Sequence, residues 1–374
     1  MIKLDGMLMI GSSQSNVGKT KLGCAILNKY SKTNKIVAIK VTTINKNELK
    51  VNGSKKYYDF DSFPKDGFSI IEESNISSEK DTAKFLKAGA SKAFLLRALK
   101  GNLSDGFNTL LKRIDSGTIS LCESTSLRKL IEPDIFLLVA NDDLTTWKDS
   151  ALQVKDYADK IVINKADNIN LELEQIQLID NKWILLEKAT AIILAGGANK
   201  RMGRDKSMLN INGKSIIENT CNQLRKCFSQ VLISANDRQK YAFLGIPVVP
   251  DVVSEQGPLI GLASALEASA NELNFVIACD IPIKELLLIR KIVTEAENCK
   301  VDIVVPITKD QQSQPLFAVY RKTALKTINK VLSMGGRRMH DIFELCTTKY
   351  IKLKTNLPNL NTLKDYKEFE KVNI

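Results

Sequence analysis

Histidine, tryptophan and aromatic residues in general are scarce in this sequence. Its 374 residues include one histidine and two tryptophans, and aromatic side chains make up 6% of the total. With His340 as the single histidine, the sequence disfavours a histidine-based metal site and a Ser–His–Asp hydrolase triad. The seven cysteines include no CxxC pair, a pattern that favours reduced thiols over a disulfide framework or a zinc site. Any chemistry must therefore rely on carboxylates, lysines, arginines, backbone amides or a bound metal.

Long apolar runs are also missing. No stretch approaches the roughly 18 apolar residues of a membrane-spanning helix, and the first residues lack the pattern of a signal peptide. The net charge is +12, but the lysines are spread along the chain and are not grouped with aromatic residues. This distribution argues against nucleic-acid binding. We therefore expect a cytoplasmic protein without a membrane or nucleic-acid partner.

The length and the pattern of apolar residues predict two α/β domains. A chain of this size suits two cores better than one. Short apolar runs alternate with amphipathic stretches throughout both halves, which is typical of parallel sheets covered by helices. The segment 180–190 joins the two series of apolar runs. We place the boundary there, giving domains 1–186 and 187–374.

The first apolar run leads into a segment that resembles a P-loop. The sequence SSQSNVGKT (12–20) ends in Gly18, Lys19 and Thr20 and precedes a helical pattern. In the pattern GxxxxGK[ST], backbone N–H groups surround a phosphate, the lysine reaches the outer phosphates and the hydroxyl holds Mg²⁺. Ser13 stands where the pattern has its first glycine. A purely structural loop is the alternative.

Two further strand ends support nucleotide binding in the first half. IVINKAD places Asn164, Lys165 and Asp167 after an apolar run, and in GTPases an NKxD sequence binds guanine. A polar turn is the alternative here. Glu123 ends another apolar run, where it could orient water or Mg²⁺. The segment KDTAKFLKAGA (80–90) resembles the MobB-like P-loop proteins of molybdopterin guanine dinucleotide synthesis, which implies a P-loop NTPase-type parallel sheet.

The second half opens with a loop rich in glycine and positive charge. After an apolar strand comes LAGGANKRMGRDK (194–206), in which glycines allow the backbone to approach a ligand closely. Arg201 and Lys206 supply charge that can neutralise a triphosphate. A solvated loop lysine is the alternative for Lys206.

Five ordered motifs make the second half resemble the molybdenum cofactor guanylyltransferases, the MobA family, from residue 190 to 374. The glycine-rich loop is followed in order by SAND (234–237), PVVPD (247–251), GPLIGLASAL (257–266), FVIACDIP (275–282) and NLNTLKDY (359–366). The resemblance implies a Rossmann-like, doubly wound nucleotidyltransferase sheet. It also implies transfer of GMP from GTP to molybdenum-molybdopterin with release of pyrophosphate, and molybdoenzymes or their chaperones as further partners.

The resemblance assigns roles to individual residues. Asp280 is the expected Mg²⁺ ligand, and Arg201, Lys206 and Asp280 are the expected catalytic residues; a helix cap is the alternative for Asp280. In the first half Thr20 is the expected metal ligand. The expected GTP-binding residues are Leu194, Ala195, Gly196, Gly197, Lys206, Asn236, Asp251 and Asp280.

Several alternatives stay open at this point. The family often has asparagine where this chain has Ser234, which leaves base recognition there undecided. LAGG favours GTP, whereas the cytidylyltransferase relatives usually have LAAG. A turn is the alternative for Asp251. Arg337 or Arg338 could bind the pterin phosphate or simply form a surface turn. A cytidylyl- or sugar-phosphate nucleotidyltransferase, or a non-catalytic cofactor carrier, is the alternative function.

Overall fold

The computed structural model describes two compact units, Met1–Leu185 and Leu186–Ile374. The described residues are 1–44, 65–142, 146–165, 168–196, 206–211, 213–252, 257–283, 285–354, 356–358 and 365. Among them, no helix is long and apolar enough to cross a membrane.

An eight-stranded sheet is the centre of the first unit, in the order β3-β4-β2-β5-β1-β6-β7-β8. Its inner six strands are parallel, and the edge strands β3 and β8 are antiparallel to their neighbours. The strands are β1 Ile2–Ser12, β2 Ile36–Ile44, β3 Phe68–Glu72, β4 Lys92–Leu99, β5 Ile119–Glu123, β6 Ile131–Asn141, β7 Lys160–Lys165 and β8 Asn168–Ile169.

Helices cover both faces of this sheet. They are α1 Lys19–Tyr30, α2 Asp81–Lys87, α3 Leu103–Leu111 and α4 Asp149–Leu152. Successive side chains of a strand point to opposite faces, so Leu8 packs in the cluster that includes α1 while Met9 packs in the cluster that includes α3. A hairpin of β9 Ile176–Ile179 and β10 Lys182–Leu185 ends the unit, and the indole of Trp183 donates to the carbonyls of Gly6 and Ser120.

A seven-stranded sheet forms the centre of the second unit, in the order β15-β14-β11-β16-β18-β17-β19. Strand β18 is antiparallel to both of its neighbours, β16 and β17. The strands are β11 Glu187–Leu194, β14 Phe228–Ser234, β15 Val248–Val249, β16 Leu273–Ala278, β17 Ile303–Ile307, β18 Phe317–Arg321 and β19 Thr348–Lys352, with a separate hairpin of β12 Asn210–Ile211 and β13 Lys214–Ser215.

The second unit is also a three-layer structure. Its helices are α5 Ile216–Leu224, α6 Arg238–Tyr241, α7 Pro258–Ala268, α8 Leu286–Glu297 and α9 Ala324–Ser333. Ile193 of β11 packs with α5 and α8, whereas Ile192 packs with α7 and α9. The cap of α5 is Ser215, whose hydroxyl accepts the N–H of Glu218.

The α/β class predicted from the sequence is present in both units, but neither sheet is wholly parallel. The expectation of parallel sheets was wrong for β3, β8 and β18. Strand β18 is buried along most of its length, and such a strand gives the same apolar run in either direction, so its orientation cannot be deduced from the pattern. The predicted joining segment 180–190 contributes to β10 and β11.

Candidate functional site

The predicted strand–loop–helix of the first unit is present. Strand β1 ends at Ser12, and α1 begins at Lys19 directly after Gly18. Gly18 has φ 96°, and a Cβ atom there would lie 2.7 Å from Asn164 Nδ2. Both the conformation and the close approach require glycine. Ser13, at the position of the usual first glycine, donates its N–H to the carbonyl of Val139 at 2.8 Å.

Lys19 and Thr20 meet the carboxylate of Glu123 at the start of α1. The Thr20 hydroxyl donates to Glu123 Oε2 at 2.7 Å. Lys19 Nζ lies 2.9 Å from Ser12 Oγ and 3.9 Å from Glu123 Oε1. Burial lowers the pKa of Lys19, and the charge of Glu123 opposes that effect. The predicted phosphate-binding lysine and metal-binding hydroxyl therefore share one buried acid.

Lys40 is a member of this cluster that the sequence analysis missed. Its ammonium lies 3.0 Å from Glu123 Oε1 and also pairs with Asp81. Burial disfavours the charged lysine, but the charge of Glu123 and the bond to Asp81 outweigh it and raise the pKa of Lys40. The sequence signal that could have identified Lys40 is its position within the otherwise apolar run KIVAIKV.

Asn164 reaches the loop between β1 and α1 (residues 13–18), but Lys165 does not take part in the cluster. Asn164 Nδ2 donates to the carbonyl of Val17 at 3.0 Å. Lys165 is exposed and forms an ion pair with Asp142 at 2.8 Å. Asp167, the predicted guanine-binding residue, lies outside the described residues.

Lys148 is a second lysine beside the loop that the sequence analysis missed. Its Nζ lies 3.3 Å from Ser12 Oγ, and its backbone N–H donates to the carbonyl of Ser13 at 3.0 Å. Burial and the charge of Lys19 lower the pKa of Lys148 to about 8. No motif marks this residue, because its position depends on the course of the segment that follows β6.

In the second unit, three parallel strands end at the same level of the sheet. Leu194 of β11 is in register with Ser234 of β14 and with Ala278 of β16. Gly196, Asn236 and Asp280 each follow two residues after these positions. These three expected GTP- and metal-binding residues therefore lie just beyond the carboxyl ends of the strands, where open α/β sheets bind ligands.

Asn236 and Asp251 form a reciprocal pair at this edge. Asn236 Nδ2 donates to Asp251 Oδ2 at 3.0 Å, and the N–H of Asp251 donates to Asn236 Oδ1 at 2.8 Å. Because two hydrogen bonds join the residues, each residue restricts the orientation of the other. The two predicted nucleotide-binding residues act as one structural element.

The start of the glycine-rich loop is held by Tyr241. Its buried hydroxyl donates to the carbonyl of Ala195 at 3.3 Å and lies 3.2 Å from Ser207 Oγ. Ala195 also donates its N–H to the carbonyl of Ser234 at 3.0 Å. Tyr241 therefore joins the residues at both ends of the loop, a link that no sequence motif indicated.

Gly197 and Arg201 lie outside the described residues, and so does the side chain of Lys206, whose backbone begins a short 3-10 helix, Lys206–Met208.

Arg337 donates through Nη1 to the carbonyls of Leu332 and Gly336, both at 2.8 Å. This arginine therefore stabilises the end of α9.

Known proteins match the second unit. Residues 191–348 match the family model described as the MobA-like NTP transferase domain. A protein named as a probable molybdenum cofactor guanylyltransferase from Pelotomaculum thermopropionicum is 34% identical over 178 residues, which are 48% of this chain and 83% of the relative. Through its C-terminal half, the chain belongs to the MobA-like NTP transferase family.

Two more comparisons each cover about half of this chain. The molybdenum cofactor guanylyltransferase of Haemophilus influenzae (strain Rd) is 31% identical over 185 residues, covering 48% of this chain and 96% of the relative. The solved structure of molybdopterin-guanine dinucleotide biosynthesis protein A from Archaeoglobus fulgidus is 21% identical, with a TM-score of 0.44; it covers 49% of this chain and 98% of that chain. The likeness of Met1–Leu185 to MobB-like proteins stays a prediction.

The family domain offers few protein ligands for a metal ion. Among the described residues, no group of three or more histidine, cysteine, aspartate or glutamate side chains could hold one. Mg²⁺ is commonly bound by one or two carboxylates together with substrate phosphates and water. Asp280 at the sheet edge fits that pattern.

Proposed function

We propose that the Leu186–Ile374 unit transfers GMP from GTP to molybdenum-molybdopterin, forming molybdopterin guanine dinucleotide and pyrophosphate. The observation that carries this proposal is the identity of 34% with a relative named for that activity, over 83% of the relative. The alignment of Gly196, Asn236 and Asp280 at one sheet edge supports it. The protein is accordingly an enzyme, a nucleotidyltransferase.

The chemistry requires positioning and charge neutralisation. The terminal phosphate of molybdopterin attacks the α-phosphorus of GTP, and the bond to pyrophosphate breaks. A phosphate monoester has a second pKa of about 6 and is mostly a dianion near neutral pH. It needs no general base, so the single histidine of this chain is no obstacle. Arg201 and Lys206 would neutralise the triphosphate.

Asp280 would hold Mg²⁺ together with phosphate oxygens. When bound, the ion neutralises charge on the nucleotide phosphates. Leu194, Ala195 and Gly196 would hold the base and ribose through their backbone groups. The pair of Asn236 and Asp251 would complete the nucleotide site.

For the Met1–Leu185 unit we propose a MobB-like role, in which the loop ending in Gly18 binds the phosphates of a nucleotide. The contacts of Lys19 and Thr20 with Glu123 support this proposal. Thr20 would be a metal ligand, and Asn164 and Asp167 would lie near a guanine base. Binding of GTP here, with or without its hydrolysis, would support delivery of the cofactor.

A labelling assay on the full chain tests the transfer reaction. Purified protein is mixed with molybdenum-molybdopterin, Mg²⁺ and GTP or CTP labelled at the α-phosphate, and label is followed into the pterin product. We expect label from GTP. Label from CTP alone would assign the protein to the cytidylyltransferases, and no label from either nucleotide would identify a carrier.

The same assay tests the role of Asp280. We expect Asp280→Asn to slow product formation by about 100-fold or more, the effect typical of losing a group that stabilises transition-state charge. Asp310→Asn, an equal change of charge at an exposed turn of the same unit, should react like the wild type. An Asp280→Asn variant as fast as the wild type would show that the metal-ligand assignment is wrong.

A further inference from the structure

The segment that carries Lys148 is attached to the loop between β1 and α1 of the first unit. The backbone N–H of Lys148 donates to the carbonyl of Ser13 at 3.0 Å. Gln14 of the loop donates through Nε2 to the carbonyl of Thr146 at 2.7 Å. These two hydrogen bonds connect residues 146–148 with the loop at two points, so the start of the Lys148 side chain has a defined position.

Two ammonium groups converge on one hydroxyl at this place. Lys19 Nζ lies 2.9 Å and Lys148 Nζ lies 3.3 Å from Ser12 Oγ. A hydroxyl oxygen has two lone pairs and can accept from both, but it is neutral and cannot balance their charge. The arrangement therefore brings two cations together at one neutral oxygen.

The nearby acid, Glu123, is already shared by two other lysines. Glu123 lies within ion-pair distance of Lys19, at 3.9 Å, and of Lys40, at 3.0 Å. Within the part of the chain that the structure describes, Lys148 has no carboxylate at ion-pair distance. Its ammonium group is thus available to a negatively charged ligand.

The ligand that fits is a polyphosphate. The lysine of a P-loop reaches the outer phosphates of a nucleotide. An outer phosphate that contacts Lys19 would also lie near Lys148, because both ammonium groups lie within 3.3 Å of Ser12 Oγ.

We propose that Lys148 is a further phosphate-binding residue of the Met1–Leu185 unit, which binds the outer phosphate of a nucleoside di- or triphosphate together with Lys19. This inference rests on the proposed nucleotide binding of that unit. Lys148 favours ligands with two or three phosphates, because a monophosphate has no outer phosphate to contact it.

Calorimetric titration of the full chain with GTP and Mg²⁺, and separately with GMP, tests the inference. We expect Lys148→Gln to weaken one GTP site by about tenfold to a hundredfold, the effect of losing one charge-assisted hydrogen bond, and to leave GMP binding unchanged. Lys148→Arg, which keeps the charge, should restore most of the affinity. Lys112→Gln, a change at an exposed lysine after α3, is the matched control and should titrate like the wild type.

Lys19→Gln separates the inference from the function on which it rests. We expect this variant to lose one GTP site. If it does so while Lys148→Gln titrates like the wild type, the inference is wrong and nucleotide binding by the unit stands. If Lys19→Gln also titrates like the wild type, the unit does not bind GTP through this loop, and both proposals are wrong.

Tryptophan fluorescence can show whether the variants keep the Met1–Leu185 unit folded. The two tryptophans of the chain, Trp147 and Trp183, belong to Met1–Leu185. Thermal unfolding observed by tryptophan fluorescence therefore reports on that unit. A Lys148→Gln variant with an unchanged transition and weakened GTP binding supports a direct contact; restored GTP binding in Lys148→Arg excludes a general loss of structure.

Discussion

Ser234 and Gly261 show how closely strand and helix approach beside the proposed GTP site. A Cβ atom at Gly261 would lie 2.5 Å from Ser234 Oγ, far inside van der Waals contact, and 3.4 Å from Asp251 Oδ1. Ser234 is 3% exposed. The hydroxyl is therefore packed against α7, and a larger amide at this position would need more room than the helix leaves.

We predict that Gly261→Ala destabilises the second unit by about 1–3 kcal/mol, the usual cost of adding a methyl group to a packed core. Ser234→Ala should remove the clash, so the double variant should recover most of the loss. Urea unfolding followed by circular dichroism measures both effects. A double variant no more stable than Gly261→Ala alone would contradict the assigned contact.

Residues within local motifs were easier to predict than residues that meet only in the folded chain. Lys19, Thr20 and Asn164 were identified because each belongs to a short motif, and the structure brings them together. Lys40 and Lys148 belong to no motif. Their place beside the loop results from strand order and from the course of a connecting segment, which the sequence pattern does not encode locally.

At the scale of elements, the glycine-rich loop of the second unit depends on helix α6. Tyr241 is the last residue of that helix and is 1% exposed. Its hydroxyl lies between Ala195, which begins the loop, and Ser207, which follows Lys206. A helix outside the loop thus fixes the distance between the two ends of the loop.

We predict that Tyr241→Phe lowers kcat/KM for GTP by about threefold to tenfold, the cost of one or two neutral hydrogen bonds. The change should appear mainly in KM, because the Tyr241 hydroxyl contacts residues at the two ends of the loop and has no proposed contact with the reacting phosphorus. Tyr350→Phe, at an exposed position of β19, is the matched control. Steady-state kinetics identical for Tyr241→Phe and wild type would contradict this role.

Elements were predicted from apolar runs, and two of the strands that were missed contain charged residues. The runs at the centre of each sheet, such as the one that became β16, are buried along their whole length. The strands β4 and β18 were not singled out. Strand β4 contains charged residues, and β18 ends in Arg321. Such strands resemble amphipathic segments unless their pairing partners are known.

At the scale of the whole molecule, each unit has its own interior. The buried apolar clusters around β1 contain residues of Met1–Leu185, and the clusters around β11 contain residues of Leu186–Ile374. The boundary at 186 and 187 was placed where one series of apolar runs ends and the next begins. A domain with a complete core can in principle fold alone.

We predict that fragments 1–185 and 186–374 each fold cooperatively when expressed separately. Fragment 1–185 should show a fluorescence transition like that of the full chain, because it holds both tryptophans. Fragment 186–374 should retain transferase activity in the labelling assay. A fragment without a cooperative transition would show that its core is incomplete.

The contact of Trp183 with Gly6 and Ser120 has a consequence for synthesis on the ribosome. The indole that bonds to β1 and β5 comes almost at the end of the first unit, so that unit cannot complete its interior until nearly all of its residues have left the exit tunnel. Translation of the second unit has begun by then. The last hairpin of the first unit therefore sets the earliest moment at which the nascent chain can become protected from proteases.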